Sequence, residues 1–340
     1  MEYILLNDGN KIPAIGFGTF QIPADGSTYE AVKTALTLGI RHIDTAVAYF
    51  NEQEVGQAVK DSGISRDRIW ITSKLWIQDY KYEDAKKAID LSLKKLGTDY
   101  MDLYLLHQPY GEVTDAWRAL EEAKKEGKIR SIGVSNMTPK MWNMYVEKFD
   151  SVPSVNQVEF NPYFQQRQLR EILLKKDVRV EAWAPLGQGN KDLFANPVIT
   201  ALAEKYNKDA GQIILRFENQ EGIIVFPKST HKERIKSNME IFDFELMEDE
   251  MEKIRGLDKG KESTIRMHPE WGIGFLQTLT CMPMIRGKHM AEKIVQTAGR
   301  DALGEFAPDL HISMTMFFSE KTGIIRTLIL RPEVSSQWLL

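Results

Sequence analysis

The chain has one cysteine, Cys281, in 340 residues. A lone thiol excludes an intramolecular disulfide framework and any zinc site built on cysteines, and it suits a reducing cytosol. An excess of charge of either sign is also lacking. A net charge of -4 leaves no basic footprint, so neither nucleic acid nor an anionic membrane is an expected partner. No apolar run reaches transmembrane length, and Asp8 interrupts "MEYILLNDGNKIP" where a signal peptide needs its apolar core. A cytoplasmic location is therefore expected. No His-x-His is present, which weakens any reading as a metal hydrolase. No GxGxxG follows the first strand-like run either: "GFGTF" lacks the third glycine that a doubly wound dinucleotide-binding sheet often carries.

What is present is alternation. Short apolar runs occur at "IGFGTF" (15–20), "RHIDTA" (41–46), "IWITSKL" (69–75), "MDLYLLH" (101–107), "SIGVSN" (131–136), "SVNQVEF" (154–160), "VRVEAWAPL" (178–186) and "GIIVFPKS" (222–229). Amphipathic helical patterns separate them; in "YEDAKKAIDLSLKKLG" Ala85, Ile89, Leu91, Leu93 and Leu96 fall near one face with lysines opposite. Eight such units are the arithmetic of an α/β protein of the (β/α)8 TIM-barrel type. Ahead of them, two short apolar runs flank Asp8-Gly9, a strong hairpin signal. The expected architecture is a barrel with an N-terminal β-hairpin cap at its bottom and an atypical C-terminal extension.

In such a barrel, chemistry gathers at the C-terminal ends of the strands. The second strand ends on Asp44, the third carries Lys74 and the fourth closes on His107, with Tyr49 in the loop after the second. Neighbouring strands lie about 4.8 Å apart, so these groups must converge. Singly, each has a plainer use: Asp44 as a turn cap, Lys74 as a solvated strand end, Tyr49 as loop packing, His107 as a core histidine. Together they make an acid. A free phenol titrates at about 10, and a nearby ammonium stabilises its anion. A buried ammonium needs a counter-charge, which Asp44 supplies. His107 can orient a carbonyl oxygen by hydrogen bonding. No cysteine or activated serine offers a nucleophile, so a hydride from a nicotinamide fits the carbon side. Trp183, near another strand end, offers a flat surface for that ring. Two other readings remain at this point: a Schiff-base aldolase using Lys74, and a cofactor-binding regulatory barrel without turnover.

"GFGTF", "HIDTAVAYFNEQEVG", "ITSKLW", "DLYLLHQP", "SIGVSN", "VNQVEFNP" and "FPKSTHKERIKSN" together resemble the aldo-keto reductase superfamily over about residues 3–275. The likeness is greater to its bacterial NADPH-dependent aldehyde and diketogluconate reductases. It implies metal-free reduction of aldehydes and ketones, a catalytic set of Asp44, Tyr49, Lys74 and His107, and Tyr49 as the general acid. It also implies that Ser135, Asn136 and Gln157 bind the nicotinamide carboxamide. Trp183 stands where the family usually has a stacking tyrosine. By the same likeness Lys228, Ser229 and Arg234 face the adenosine 2′-phosphate and Asn238 the adenine; Ser237 replaces a common glutamate. NADPH is the cofactor implied, a small carbonyl compound the partner, and a monomer the expected state. The short loop "QPYGEVTD" implies an open pocket, with Trp76, Tyr110 and Trp271 as candidate aromatic walls.

The expected domains are the barrel, 1–275, and an extension, 276–340. Within the extension "AEKIVQTAGRDALGEFAPDL" resembles the start of the carboxymuconolactone decarboxylase family, a likeness covering 291–311. It stops before that family's cysteine–histidine site, so no decarboxylase or peroxidase activity is expected. From Ser313 on no helical or strand period is evident. Permitted codons for the residues from Ile312, read from that codon's third base, spell "INDNVLFGENW", as that family usually continues. Residues 312–340 are therefore read as an out-of-frame translation and expected to be poorly ordered, since an unselected string rarely offers one consistent buried face. The gene's DNA across codons 309–313 decides this: an intact frame in independent reads refutes it.

Overall fold

The structure, a computed structural model, describes residues 2–260 together with strands at 311–319 and 324–333. By backbone proximity the chain divides into two compact units, Met1–Ile273 and Gly274–Leu340.

The first unit opens with a hairpin of β1 (Tyr3–Leu5) and β2 (Lys11–Pro13), antiparallel with Tyr3 opposite Pro13. Gly9 takes the turn at φ +86° and donates its N–H to the Leu6 carbonyl at 3.0 Å. Eight strands follow: β3 (Phe17–Gly18), β4 (His42–Asp44), β5 (Trp70–Leu75), β6 (Met101–Leu106), β7 (Ile129–Ser135), β8 (Val155–Glu159), β9 (Arg179–Trp183) and β10 (Ile224–Val225). All neighbouring pairs are parallel and adjacent in sequence order. A parallel bridge between Ile15 and Val225 joins the first strand's approach to the last strand. The chain thus forms the expected (β/α)8 barrel. The first and last strands are shorter than their apolar runs, two residues each.

Helices occupy the connections: α1 (Ser27–Thr37), α2 (Glu52–Asp61), α3 (Tyr82–Leu96), α4 (Val113–Lys125), α5 (Pro139–Tyr145), α6 (Arg167–Leu174), α7 (Lys191–Phe194), α8 (Pro197–Tyr206), α9 (Ala210–Gln220), α10 (Lys232–Met239) and α11 (Glu248–Arg255). Local chemistry sets their ends. Thr138 accepts the Met141 N–H at the start of α5, and Asp209 with Gln212 makes a reciprocal capping box on α9. The sequence pattern missed α11, whose short "EDEMEKIR" is mostly charged. Among the described residues no helix is long and apolar enough to cross a membrane.

The hairpin plugs the barrel where its strands begin. Leu6 and Ile12 join one buried cluster with Trp70, Val155 and Ile224, each the first residue of its strand. Burying two such side chains contributes roughly 1.5–3 kcal/mol apiece. Polar bonds fix the same end: Asp8 accepts from Lys124 at 2.8 Å and Ser154 at 3.1 Å. Gly16, in the run "GFG", serves packing, since a Cβ there would stand 2.8 Å from the Phe226 ring. The cap leaves the opposite rim for chemistry.

In the second unit, β11 (His311–Ser319) pairs antiparallel with β12 (Ile324–Glu333), with a register shift at Phe317/Phe318. Strand structure there differs from the absence of pattern read in the sequence. The runs are rich in Ile, Thr and Phe, which favour strands without strict alternation. Cys281 and the decarboxylase-like stretch up to residue 310 lie outside the described residues.

Candidate active site

At the rim where the strands end, one ammonium organises three elements. Lys74, on β5, is fully buried. Its Nζ donates to Asp44 Oδ1 at 2.7 Å, to the Thr45 carbonyl at 2.9 Å and to the Tyr49 hydroxyl at 3.3 Å. An ammonium has three hydrogens, and all three are committed. Burial by itself would pull the Lys74 ammonium down, but Asp44 first and Tyr49 second outweigh it, and the group ends above the ordinary lysine value. Lys74 is held charged. The Tyr49 oxygen accepts from Lys74, so the ammonium meets the phenol on the atom that bears its proton.

Asp44 is satisfied on both oxygens: Oδ1 by Lys74, and Oδ2 by the Gln157 amide nitrogen at 2.9 Å. His42, two residues earlier on β4, adds no charge. Burial pushes its imidazole down to about 3, and its Nε2 lies 2.9 Å from Thr72 Oγ1.

The loop carrying Tyr49 is pinned at both ends. Thr45 donates its N–H to the Thr72 carbonyl at 2.9 Å. Thr45 Oγ1 donates to Asn51 Oδ1 at 2.7 Å, and the Asn51 amide nitrogen donates to the carbonyls of Thr19 and Ile22 at 3.0 and 3.2 Å. Between these anchors a 3-10 turn, Val47–Tyr49, presents the phenol, and Phe50 leaves it with φ +59°. Helix α2 starts at once and is tied to β5 through Ser73, whose hydroxyl donates to Glu52 Oε1 at 2.7 Å. Further along α2, Gly56 packs so tightly on α3 that a Cβ would stand 2.3 Å from the Leu96 carbonyl oxygen.

Aromatic rings surround the phenol. Tyr49 stands 5.0 Å from Phe20 and 5.5 Å, edge to face, from His107. Trp76 lies 5.1 Å from His107, also edge to face. Tyr110 is buried close behind the end of β6.

A second polar chain crosses the next three strands. Ser135 Oγ donates to the Gln157 carbonyl at 2.8 Å. Asn136, at φ +62°, donates to the His107 carbonyl at 3.1 Å and accepts from the Trp183 indole N–H at 2.9 Å. Asparagine tolerates that backbone region better than most residues. Trp183 is thus held by its nitrogen, with its ring half-buried. A stacking tyrosine has no indole nitrogen with which to make this bond.

Beyond β10, Lys228 and Arg234 are exposed, and among the described residues neither forms an ion pair. Ser229 between them is buried and accepts the His231 N–H at 3.0 Å. Asn238 is half-buried on α10. The neighbouring Ser237 hydroxyl donates to Asp209, the cap of α9. Trp271 lies outside the described residues.

The structure therefore brings Asp44, Lys74, Tyr49 and His107 together. It brings Ser135, Asn136, Gln157 and Trp183 together beside them, and it sets Lys228, Ser229 and Arg234 after β10. The sequence reading missed Phe20, Thr45, Asn51 and Glu181. Glu181 had one signal: it is a carboxylate inside an apolar strand, two residues before Trp183.

The family model for the aldo/keto reductase family matches residues 14–259. An aldo-keto reductase of Mycolicibacterium smegmatis is 46% identical over 261 residues, 76% of this chain and 94% of the relative. A glyoxal reductase of Bacillus subtilis is 43% identical over 259 residues, 76% of this chain and 93% of the relative. A Bombyx mori aldo-keto reductase, solved in complex with NADP, superposes with a TM-score of 0.72 at 34% identity over 77% of this chain and 94% of its own. The chain belongs to the aldo/keto reductase family, oxidoreductases that act on carbonyl groups.

Proposed function

We propose that the chain reduces aldehydes and ketones to alcohols with NADPH, and that Tyr49 is the proton donor. The observation that carries this is the buried Lys74 ammonium, which donates to Asp44 and to the Tyr49 hydroxyl at once. An ammonium held that way stabilises negative charge on the phenol oxygen as its proton leaves. His107, edge to face with Tyr49, lies where it can hydrogen-bond a carbonyl oxygen and aim it at the phenol. Proton transfer from Tyr49 to that oxygen leaves a phenolate beside Lys74, which water then reprotonates.

The residues present fit a phosphorylated nicotinamide dinucleotide. Trp183 offers a ring face fixed by its indole N–H, and the exposed Lys228 and Arg234 suit a phosphate dianion. When bound, the nicotinamide supplies the hydride to the carbonyl carbon. Ser135, Asn136 and Gln157 are the polar groups that would hold its carboxamide, and Asn238 the adenine. Trp76 and Tyr110 would wall the substrate side. All of these groups come from one chain, so the site works in a monomer. A reducing cytosol would keep the lone thiol free.

A Schiff-base aldolase fares worse here. Its lysine must lose a proton to attack, whereas Lys74 is held charged by three acceptors.

Loss of NADPH absorbance with glyoxal, other aldehydes and ketones tests the reading. Glyoxal heads that panel because a relative carries its name. Tight NADPH binding with no turnover on any substrate would favour a regulatory barrel instead. Arg234→Ala should weaken NADPH about tenfold and leave NADH unchanged, since one exposed charge-assisted contact to the 2′-phosphate is lost. Fluorescence titration reads both; equal weakening of the two cofactors would remove Arg234 from that role.

A further inference from the structure

Glu181 sits on β9 inside the barrel, wholly buried, one strand away from Gln157 and in register with it. Its Oε2 accepts from the Gln157 amide nitrogen at 3.0 Å. That nitrogen also donates to Asp44 Oδ2 at 2.9 Å, so both amide hydrogens are spent on carboxyl oxygens. Among the described residues, Glu181 Oε1 has no hydrogen-bond partner. Three strands face this group with polar chains: Asp44 from β4, Lys74 from β5 and Gln157 from β8. On the other side, β10 sets the apolar Ile224 beside it.

We propose that Glu181 is a positioning residue of this site: as a neutral acid it shares the Gln157 amide with Asp44 and so fixes the carboxylate that holds Lys74. The inference rests on reading Asp44, Lys74 and Tyr49 as the proton-donating unit.

The charge count leads there. Two carboxyls and one ammonium are enclosed together. Asp44 touches Lys74 at 2.7 Å and takes the negative charge, whereas the hydrogen bonds from Glu181 reach that ammonium by way of Gln157 and Asp44. A second carboxylate would be buried without a counter-ion, so the proton stays on Glu181. Burial, and then the charge of Asp44, push its carboxyl up to about 8. Above that range an ionised Glu181 competes with Asp44 for the same amide, and the support beneath Lys74 loosens. Among the described residues, the hydrogen bond that links Glu181 to this unit runs through Gln157.

The test uses the protein without cofactor. Folded Glu181 binds its proton up to about 8 and the unfolded chain only up to 4.5. Wild-type stability relative to Glu181→Gln should therefore fall as pH rises from 4.5 to about 8, then level off. Infrared spectra of the wild type at about pH 6 should show a buried protonated carboxyl C=O band that Glu181→Gln lacks. In turnover, Glu181→Gln should keep its kcat at that pH and lose the alkaline fall. Glu181→Leu, which cannot hold the amide, should lower kcat about tenfold with KM little changed. A pH-independent stability difference, or no such band in the wild type, overturns the proposal. Should the wild type reduce no carbonyl at all, the functional reading fails, and the stability and infrared results still decide the state of Glu181.

Discussion

Tyr49→Phe is expected to lower kcat for NADPH-driven carbonyl reduction about a thousandfold, with cofactor affinity almost unchanged. The substitution removes one oxygen and keeps the ring, so the edge-to-face contact with His107 and the packing on Phe20 survive. What goes is the hydroxyl that Lys74 donates to. Lys74 would remain, but the reaction would then take its proton from water, which the protein does not hold against that ammonium as it holds the phenol. Single-turnover kinetics isolate the chemical step, and fluorescence titration measures cofactor affinity. Equal rates in wild type and variant would refute Tyr49 as the acid.

Lys74→Met should be the most damaging change for stability as well as activity. It leaves Asp44 buried with one N–H from Gln157, and it strips the Thr45 carbonyl of its donor. Breaking a buried ion pair from one side costs about 3–5 kcal/mol, which corresponds to roughly 10 °C in Tm for a unit of this size. Adding Asp44→Asn should restore part of that loss, because the orphaned charge is gone. The sign with pH follows from the raised Lys74 value: its contribution is complete below the ordinary lysine value of 10.5 and is lost only as pH climbs through the folded value. Calorimetry at neutral pH is the measurement. A Tm within about 2 °C of wild type would mean that the pair does not support the fold.

Much of this was legible in the sequence, and unevenly so. The barrel could be read because parallel strands covered by helices need near-continuous apolar runs, and eight of them stand out. Asp44, Lys74 and His107 could be read because each breaks such a run near its end. Tyr49 needed the loop length and the chemistry of its neighbours. Glu181 was harder: it lies in mid-strand, and only the closed barrel shows that its face meets Gln157. Gln157 itself was read as a cofactor ligand, and its bond to Asp44 crosses the barrel over a separation of 113 residues, which no local pattern carries. The hairpin turn was legible because Asp-Gly names its own conformation, whereas α11 was not, since a short charged helix has little period to detect.

The two anchors around the Tyr49 loop have a consequence for the temperature dependence of the reaction. Thr45 and Asn51 hold the segment to β5 and to the loop after β3, so the phenol's position is decided when the chain folds. Ordering the backbone of a free loop costs about 1–2 kcal/mol per residue in conformational entropy, and here that cost falls on folding and not on catalysis. The barrier to proton transfer should then be mainly enthalpic. Loosening Asn51 would move disorder from the unfolded state into the ground state of the enzyme, slowing the reaction through its activation entropy while the ammonium, the carboxylate and the phenol all remain.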